Sequence, residues 1–348
     1  GAVYILFMNV NGSVSSNVKI TDGMAGFSPS GLGNTDHFGS SITNIGDLDG
    51  DGVQDLAVGA SDDENSDSAE GAVYILFMNV NGSVASNVKI TDGMAGFNPS
   101  GLDASDMFGT SIANIGDLDG DGVKDLAVGA YQDSTDETNE GAVYILFMNV
   151  NGSVSSNVKI TDGMAGFYPI GLAGYDRFGT SIANIGDLDG DGVQDLAVGA
   201  YNDENSDSGE GAVYILFMDV NGSVSSNVKI SDGLAGFYPD GLDASDWFGY
   251  SVANIGDLDG DGVQDLVVSA KSDENLESAE GAFYILFMNS NGSVDSNVKI
   301  SDGLAGFNPD GLSSSERSGD AIANIGDLDG DGVQDLAFSS MTDENLVS

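Results

Sequence analysis

The chain has no cysteine, and this absence excludes both a disulfide framework and a thiolate metal site. Basic residues are scarce as well: 9 Lys and Arg stand against 56 Asp and Glu, for a formal net charge of -47 over 348 residues. So negative a chain repels nucleic acids and anionic membrane surfaces, which argues against both as partners. Cations are its natural partners.

Long apolar runs are also missing. The opening run, residues 2–8, is too short to cross a membrane and has no basic flank, so we expect a strand there, with neither a signal peptide nor direct membrane insertion. Hydrophobic residues make up 41% of the chain, enough for a substantial core, and the 51 glycines and strand-type apolar runs point away from helices. The composition therefore indicates an all-β protein.

A nine-residue motif, DLDGDGVxD, begins at Asp47 and recurs four times, each copy 70 residues after the previous one. Each 70-residue unit carries four strand signals, which in one unit lie at residues 40–46, 55–60, 72–78 and 87–91. The third is apolar throughout, as expected of a strand covered on both faces, whereas the fourth alternates and suits an outer strand. An Asn-Gly turn within residues 79–84 joins these two strands.

Four antiparallel strands per unit predict a blade, and radial packing of blades predicts a single β-propeller over residues 1–348. The chain starts at a third strand and stops after a second strand, so we expect strands from both termini to close the ring. The five predicted four-stranded blades are residues 36–100, 106–170, 176–240, 246–310, and 316–348 together with 1–30.

The repeated motif places carboxylates at loop positions 1, 3, 5 and 9, with a backbone carbonyl available at position 7. This all-oxygen set favours Ca²⁺ over Mg²⁺, which keeps its waters and needs a tighter octahedron. An EF-hand would need Glu at position 12, but Val58 stands there. Without a cation the clustered carboxylates would repel one another, so about five Ca²⁺ are expected. The predicted ligands are Asp47, Asp49, Asp51, Val53, Asp55, Asp117, Asp119, Asp121, Val123, Asp125, Asp187, Asp189, Asp191, Val193, Asp195, Asp257, Asp259, Asp261, Val263, Asp265, Asp327, Asp329, Asp331, Val333 and Asp335.

Two further features of the sequence, an acidic run and a single histidine, are expected to lie at the surface without a binding or catalytic role. The acidic run at residues 62–67 is expected to be a solvated loop rather than another ion site. The only histidine, His37, has no Ser or Cys partner nearby in sequence, so we predict no enzyme.

Variation between the repeats falls on the connections opposite the Asp motifs. Aromatic and arginine side chains collect there, and these residue types dominate binding hot spots. Drift of exposed loops after duplication is the alternative explanation. The candidate ligand-binding residues, for a protein or glycan partner, are Tyr168, Tyr175, Arg177, Tyr201, Tyr238, Trp247 and Tyr250.

The units resemble FG-GAP repeats, the blades of the integrin α-chain head. Phe-Gly pairs at 38–39, 108–109, 178–179 and 248–249 carry the resemblance, together with Gly-Ala pairs at 59–60, 129–130 and 199–200. The sequence differs from the integrin heads in having five units instead of seven and in lacking the proline of GAP. The resemblance implies a ligand-receiving face opposite the Asp motifs.

Together these features predict a calcium-stabilised extracellular or cell-surface interaction module, with adhesion as its role. A carbohydrate-binding propeller, or a non-binding structural repeat of a larger surface protein, remains an alternative. A polysaccharide-cleaving enzyme is disfavoured, because the chain offers one histidine and no second acid–base motif.

Overall fold

The computed structural model describes the chain except for residues 30, 65–68, 100, 136, 206–207, 240, 275–279, 308–316 and 341–348. The described residues form twenty β-strands and divide into two compact units. The first unit contains residues 1–135 and 142–159, and the second contains residues 136–141 and 160–348.

The strands follow one another at the 70-residue spacing of the sequence. The first ten are β1 (Val3–Met8), β2 (Val14–Ile20), β3 (Phe38–Gly46), β4 (Asp55–Ala60), β5 (Ala72–Met78), β6 (Val84–Ile90), β7 (Phe108–Gly116), β8 (Asp125–Ala130), β9 (Ala142–Met148) and β10 (Val154–Ile160). The next ten are β11 (Phe178–Gly186), β12 (Asp195–Ala200), β13 (Ala212–Met218), β14 (Val224–Ile230), β15 (Phe248–Gly256), β16 (Asp265–Ala270), β17 (Ala282–Met288), β18 (Val294–Ile300), β19 (Ser318–Gly326) and β20 (Asp335–Ser340).

Four sheets have four strands each, in the orders β3-β4-β5-β6, β7-β8-β9-β10, β11-β12-β13-β14 and β15-β16-β17-β18. Neighbouring strands are antiparallel, which confirms the all-β class and the four-strand unit. β4 and β5 have the predicted bounds. β6 begins at Val84, three residues before the predicted start, because the turn closes at Ser83, whose carbonyl accepts a hydrogen bond of 2.8 Å from Asn79 N.

The third strand of each sheet is central, as its apolar sequence predicts. Every residue of β5, β9 and β13 is buried, whereas β6 keeps several exposed positions. In the first unit, Tyr144 of β9 packs edge-on against the stacked rings of Phe97 and Phe108, with centroids 5.6–5.7 Å away. Burying a large apolar side chain contributes about 1.5–3 kcal/mol, so these repeated aromatic groups are a main source of stability.

The remaining two sheets have two strands each, β1-β2 and β19-β20. β1 repeats the VYILFM sequence of β5, yet Tyr4 is 56% exposed where Tyr74 is fully buried. The structure therefore shows repeated four-stranded sheets and does not show closure into a ring, which stays a prediction. In the described part of the chain, no helix has the length and hydrophobicity needed to cross a membrane.

Candidate metal centre

Each DLDGDGVxD motif lies between the first and second strands of its sheet. We call these segments Asp loops 1 to 5; they are residues 47–55, 117–125, 187–195, 257–265 and 327–335. In every Asp loop three carboxylates each offer an oxygen within 4.8 Å of the others. The five groups are Asp47, Asp49 and Asp55; Asp117, Asp119 and Asp125; Asp187, Asp189 and Asp195; Asp257, Asp259 and Asp265; and Asp327, Asp329 and Asp335.

In the first four groups the last carboxylate is fixed by the sheet. Asp125 is the first residue of β8 and is 1% exposed. Its Oδ1 accepts a hydrogen bond of 2.9 Å from Met148 N on β9, and its Oδ2 accepts one of 2.8 Å from Leu118 N. The sheet therefore holds one carboxylate rigidly while the other two lie at the surface.

The exposed part of the loop wraps tightly around its own carboxylates. Gly50 and Gly52 have φ of 79° and 90°, a region that residues with a Cβ adopt only with strain. This path lets Gly52 N donate to Asp47 Oδ2 at 2.8 Å.

The fourth predicted carboxylate lies outside each group of three. Asp51 Oδ1 accepts a hydrogen bond of 2.8 Å from Val53 N, and the same bond recurs in the other four Asp loops. The structure thus brings together three of the four predicted side chains of each loop. The contributions of Asp51 and of the Val53 carbonyl, and of their counterparts, remain predictions.

Burial and crowding make the last carboxylate of an Asp loop costly to ionise without a cation. Burial raises the pKa of Asp125 to about 6, and the neighbouring charges of Asp119 and Asp121 act in the same direction, against the two backbone N–H donors. The same causes raise the pKa of Asp195 to about 6. An all-oxygen group of negative side chains fits a hard divalent cation, which would remove this repulsion.

A second set of repeated carboxylates is buried with its own counter-charges. Asp133 is fully buried, 2.7 Å from Lys159 Nζ, and its Oδ2 accepts a hydrogen bond of 2.8 Å from the Tyr144 hydroxyl. Asp203 likewise lies 2.5 Å from Lys229 Nζ and 2.6 Å from the Tyr214 hydroxyl. We call these groups the ion clusters; they comprise Asp63, Tyr74 and Lys89; Asp133, Tyr144 and Lys159; Asp203, Tyr214 and Lys229; and Asp273, Tyr284 and Lys299.

The ion clusters correct the interpretation of residues 62–67 as a solvated loop. Asp63 is fully buried and paired with Lys89, and residues 65–67 lie outside the described part of the chain. The prediction was wrong for Asp63, because a run of acidic letters conceals one inward-pointing member. The signal was available: in four repeats an Asp stands at this position, 26 residues before the lysine of the fourth strand.

A further buried carboxylate lies beside each of the four ion clusters: Asp36, Asp106, Asp176 and Asp246. Burial raises the pKa of Asp106 to about 7, helped by the charge of Asp133 and opposed by the hydrogen bond from Asp103 N. Burial also raises the pKa values of Asp176 and Asp246 to about 7. These last three groups change charge near neutral pH.

The candidate ligand-binding residues do not form one patch. In the second unit, the ring of Tyr201 lies 5.6 Å from that of Trp247 and 5.3 Å from that of Tyr250. Arg317 stacks over Trp247, and Lys271 lies over Tyr250 while pairing with Asp320. We call Tyr201, Trp247 and Tyr250 the aromatic cluster.

The aromatic cluster lies at the strand ends opposite the Asp loops, because Trp247 immediately precedes β15 and Tyr201 immediately follows β12. The other candidates differ in exposure. Tyr168, Tyr175 and Tyr238 are 69%, 54% and 70% exposed, and Arg177 is half-buried. Sequence reasoning did not identify Lys271 or Arg317 as neighbours of the aromatic cluster.

Comparison with known proteins agrees with this geometry. Residues 38–76, 108–146, 178–216 and 248–286 match the FG-GAP repeat family. Integrin alpha-4 of Xenopus laevis is 36% identical over 47% of this chain and 14% of its own length. Integrin alpha-5 of Xenopus laevis is 33% identical over 67% of this chain and 20% of its own, and human integrin alpha-6 is 37% identical over 51% and 13%.

The chain therefore contains FG-GAP repeats and is distantly similar to integrin alpha chains over about half its length. The matched segments span at most a fifth of these relatives.

Proposed function

We propose that this chain of FG-GAP repeats is a calcium-stabilised interaction module of the extracellular space or cell surface. One observation carries the proposal: five equivalent loops each gather three carboxylates within 4.8 Å, at the same place in each repeat. Similarity to integrin alpha chains supports a surface setting and a non-catalytic, adhesive role.

Each Asp loop has the parts that a structural cation site needs. A buried carboxylate such as Asp125 is held by backbone N–H groups of two different segments, so it is in place before any ion arrives. The exposed Asp117 and Asp119 complete the group. Bound Ca²⁺ would supply a charge that neutralises these oxygens and ties the loop to the sheet.

Equilibrium dialysis with Ca²⁺ tests the sites directly. We expect about five ions per chain, with weaker binding of Mg²⁺ because it resists losing its waters. A variant with Asp125→Asn should lose one ion, whereas Asp103→Asn, an exposed acid outside the Asp loops, should lose none. Retention of all ions by Asp125→Asn would contradict the assignment.

We also propose that the repeats close into a five-bladed propeller. The exposure of Tyr4, Leu6 and Met8 on β1 supports this, because the matching side chains of β5 are buried. By analogy with the β4–β5 register, in which Leu56 pairs with Leu76, Leu336 would pair with Leu6. The chain has no cysteine, so a Leu6→Cys, Leu336→Cys variant reports cleanly. An intramolecular disulfide supports closure; free thiols or exclusively intermolecular bonds contradict it.

For the ligand, the aromatic cluster is the best supported part of the predicted surface. Three adjacent rings with Arg317 above one of them offer contact area and a polar handle, as binding hot spots do. The ligand we expect is a protein or a glycan, and the partly accessible rings make a glycan a specific alternative.

The ligand assignment is tested by comparing two variants, Trp247→Ala and Tyr238→Ala, on a glycan array and in partner capture from extracellular fluid. Loss of binding with Trp247→Ala alone supports the aromatic cluster. If both variants bind like the native chain, the assignment fails. If the native chain binds nothing in either assay, the chain is a structural repeat without a ligand.

A further inference from the structure

Position 8 of the Asp loops is the one variable position within the nine-residue motif. It is Gln54, Gln194, Gln264 and Gln334 in four repeats and Lys124 in the second. Five of the nine basic residues of the chain are the repeated lysines of the fourth-strand motif, so Lys124 is one of four remaining bases. Its place beside a group of carboxylates therefore calls for an explanation.

The structure shows where the side chain at position 8 goes. In Asp loops 2, 4 and 5 it lies against the glycine that precedes the Asp loop of the preceding repeat. A Cβ built at Gly186 would lie 3.7 Å from Gln264 Cγ, and one built at Gly256 would lie 3.7 Å from Gln334 Cγ. Contacts of this kind join residues 78 positions apart, so loop 4 touches the start of loop 3, and loop 5 touches the start of loop 4.

In Asp loop 2 the residue at position 8 is Lys124, and it lies against Gly46. A Cβ built at Gly46 would lie 3.0 Å from Lys124 Nζ, and 3.2 Å and 3.4 Å from its Cε and Cδ. Gly46 directly precedes Asp47, the first carboxylate of Asp loop 1. Asp47 and Lys124 both line one small cleft of about 120 Å³. The ammonium of loop 2 thus lies next to the carboxylate group of loop 1.

We infer that Lys124 sets the calcium affinity of Asp loop 1 below that of Asp loop 3, which faces the neutral Gln264. The inference rests on the proposed function, since it concerns the ion held by the same carboxylates. A fixed positive charge beside the site attracts those carboxylates before the ion arrives and repels the divalent ion afterwards. Both effects weaken binding, and both fade as salt screens the charge.

Hydrogen exchange read by mass spectrometry during a Ca²⁺ titration can follow each loop separately. Thr43 stands where the other repeats have alanine, so a peptide spanning residues 43–56 reports on Asp loop 1 alone. A peptide spanning residues 177–196 reports on Asp loop 3 in the native chain and in every variant, because it begins with Arg177 where its loop 2 counterpart has Met107.

At low ionic strength we expect Lys124→Gln to lower the Ca²⁺ midpoint of loop 1 about fivefold, with loop 3 unchanged. The reverse graft, Gln264→Lys, should raise the midpoint of loop 3 by a similar factor. Lys124→Arg keeps the charge and should keep the native midpoint. At about 0.5 M salt the differences should shrink strongly.

The inference is overturned if loop 1 titrates identically in the native chain and in Lys124→Gln, while the loops do respond to Ca²⁺. It is also overturned if the shift persists undiminished in high salt, since that would indicate a steric effect. Failure of every loop to gain protection with Ca²⁺ would instead overturn the proposed function itself. The two failures are therefore distinguishable in one experiment.

Discussion

The Asp loops and the ion clusters are two sets of repeated carboxylates that solve the same electrostatic problem differently. In the ion cluster of Asp133, the balancing charge is Lys159 of the same chain, and the Tyr144 hydroxyl satisfies a further lone pair. In Asp loop 2, three carboxylates crowd together with only backbone N–H groups for support. The first arrangement is complete by itself, and under the proposed function the second is completed by a cation from solution.

This difference separates what should depend on calcium from what should not. Buried charges without partners are strongly destabilising, so each ion cluster must be assembled as the sheet folds. Exposed carboxylates can tolerate the absence of an ion at a smaller cost, because water screens them. A substitution in an ion cluster should therefore cost the same stability in Ca²⁺ and in EDTA, whereas a substitution in an Asp loop should cost more in Ca²⁺.

The largest effect should come from breaking an ion cluster. Lys159→Met leaves Asp133 buried without a cation, and we expect a loss of about 3–5 kcal/mol in the free energy of unfolding. Chemical denaturation should show the same loss in Ca²⁺ and in EDTA. As a matched control, the double variant Lys159→Met, Asp133→Leu should recover most of it. A loss of stability seen only in Ca²⁺ would show that the ion cluster also depends on calcium, which would contradict the comparison.

A smaller, calcium-dependent effect is expected from Asp125→Asn. At free Ca²⁺ about 100-fold above the dissociation constant, one lost site removes about 2.7 kcal/mol of stability. In EDTA a smaller loss should remain: the substitution relieves repulsion from Asp119 and Asp121, but the Asn amide has one acceptor oxygen for the two N–H groups of Leu118 and Met148. Urea unfolding in both buffers measures this, with Asp103→Asn as the control. Equal losses in the two buffers would argue against a metal at this loop.

Much of this comparison could be predicted from the sequence, and the reason is local. β4 and β5 have the predicted bounds because their apolar runs are flanked by the Asp motif and by an Asn-Gly turn. The carboxylates of the Asp loops lie within nine residues of one another, so their spacing alone brings them together.

Long-range pairings could not be predicted in this way. Asp133 and Lys159 meet because β8, β9 and β10 are neighbours in one sheet, which brings together residues 26 positions apart. The aromatic cluster likewise joins Tyr201 to Trp247 across two repeats. Tyr238, another tyrosine at a variable position, lies outside it. Closure of the ring depends on the same kind of distant pairing.

The pH dependence sharpens the contrast between charges that are balanced and those that are not. The folded-state pKa of Asp106 is raised to about 7, above its unfolded value near 4, so the folded state binds the extra proton. Its stabilising contribution is therefore present at low pH and is lost as pH rises through 7. In saturating Ca²⁺, Asp106→Asn should remove about 1 kcal/mol of the decline in stability between pH 6 and 8.

Thermal melts across this range, with Asp295→Asn as the control, measure the slope. The two variants differ in burial, since Asp295 is exposed and Asp106 is 3% exposed. A native slope that survives in Asp106→Asn would show that this carboxyl does not titrate near neutral pH.

The smallest effects are expected for the aromatic cluster and for Tyr238, which belong to neither set of carboxylates. Trp247→Ala should cost about 1 kcal/mol through its ring contacts with Tyr201 and Tyr250, and Tyr238→Ala should stay within about 0.5 kcal/mol because it is exposed. Denaturation midpoints in Ca²⁺ and in EDTA should move equally. A calcium-dependent change in these midpoints would show that the aromatic cluster or Tyr238 is coupled to the Asp loops.

The most direct test of the central claim is the melting temperature of the native chain as a function of free Ca²⁺. If the Asp loops need a cation and the ion clusters do not, the melting temperature should fall sharply in EDTA and rise steadily with Ca²⁺. An equal concentration of Mg²⁺ should restore less of it. A melting curve unchanged between EDTA and saturating Ca²⁺ would contradict the account.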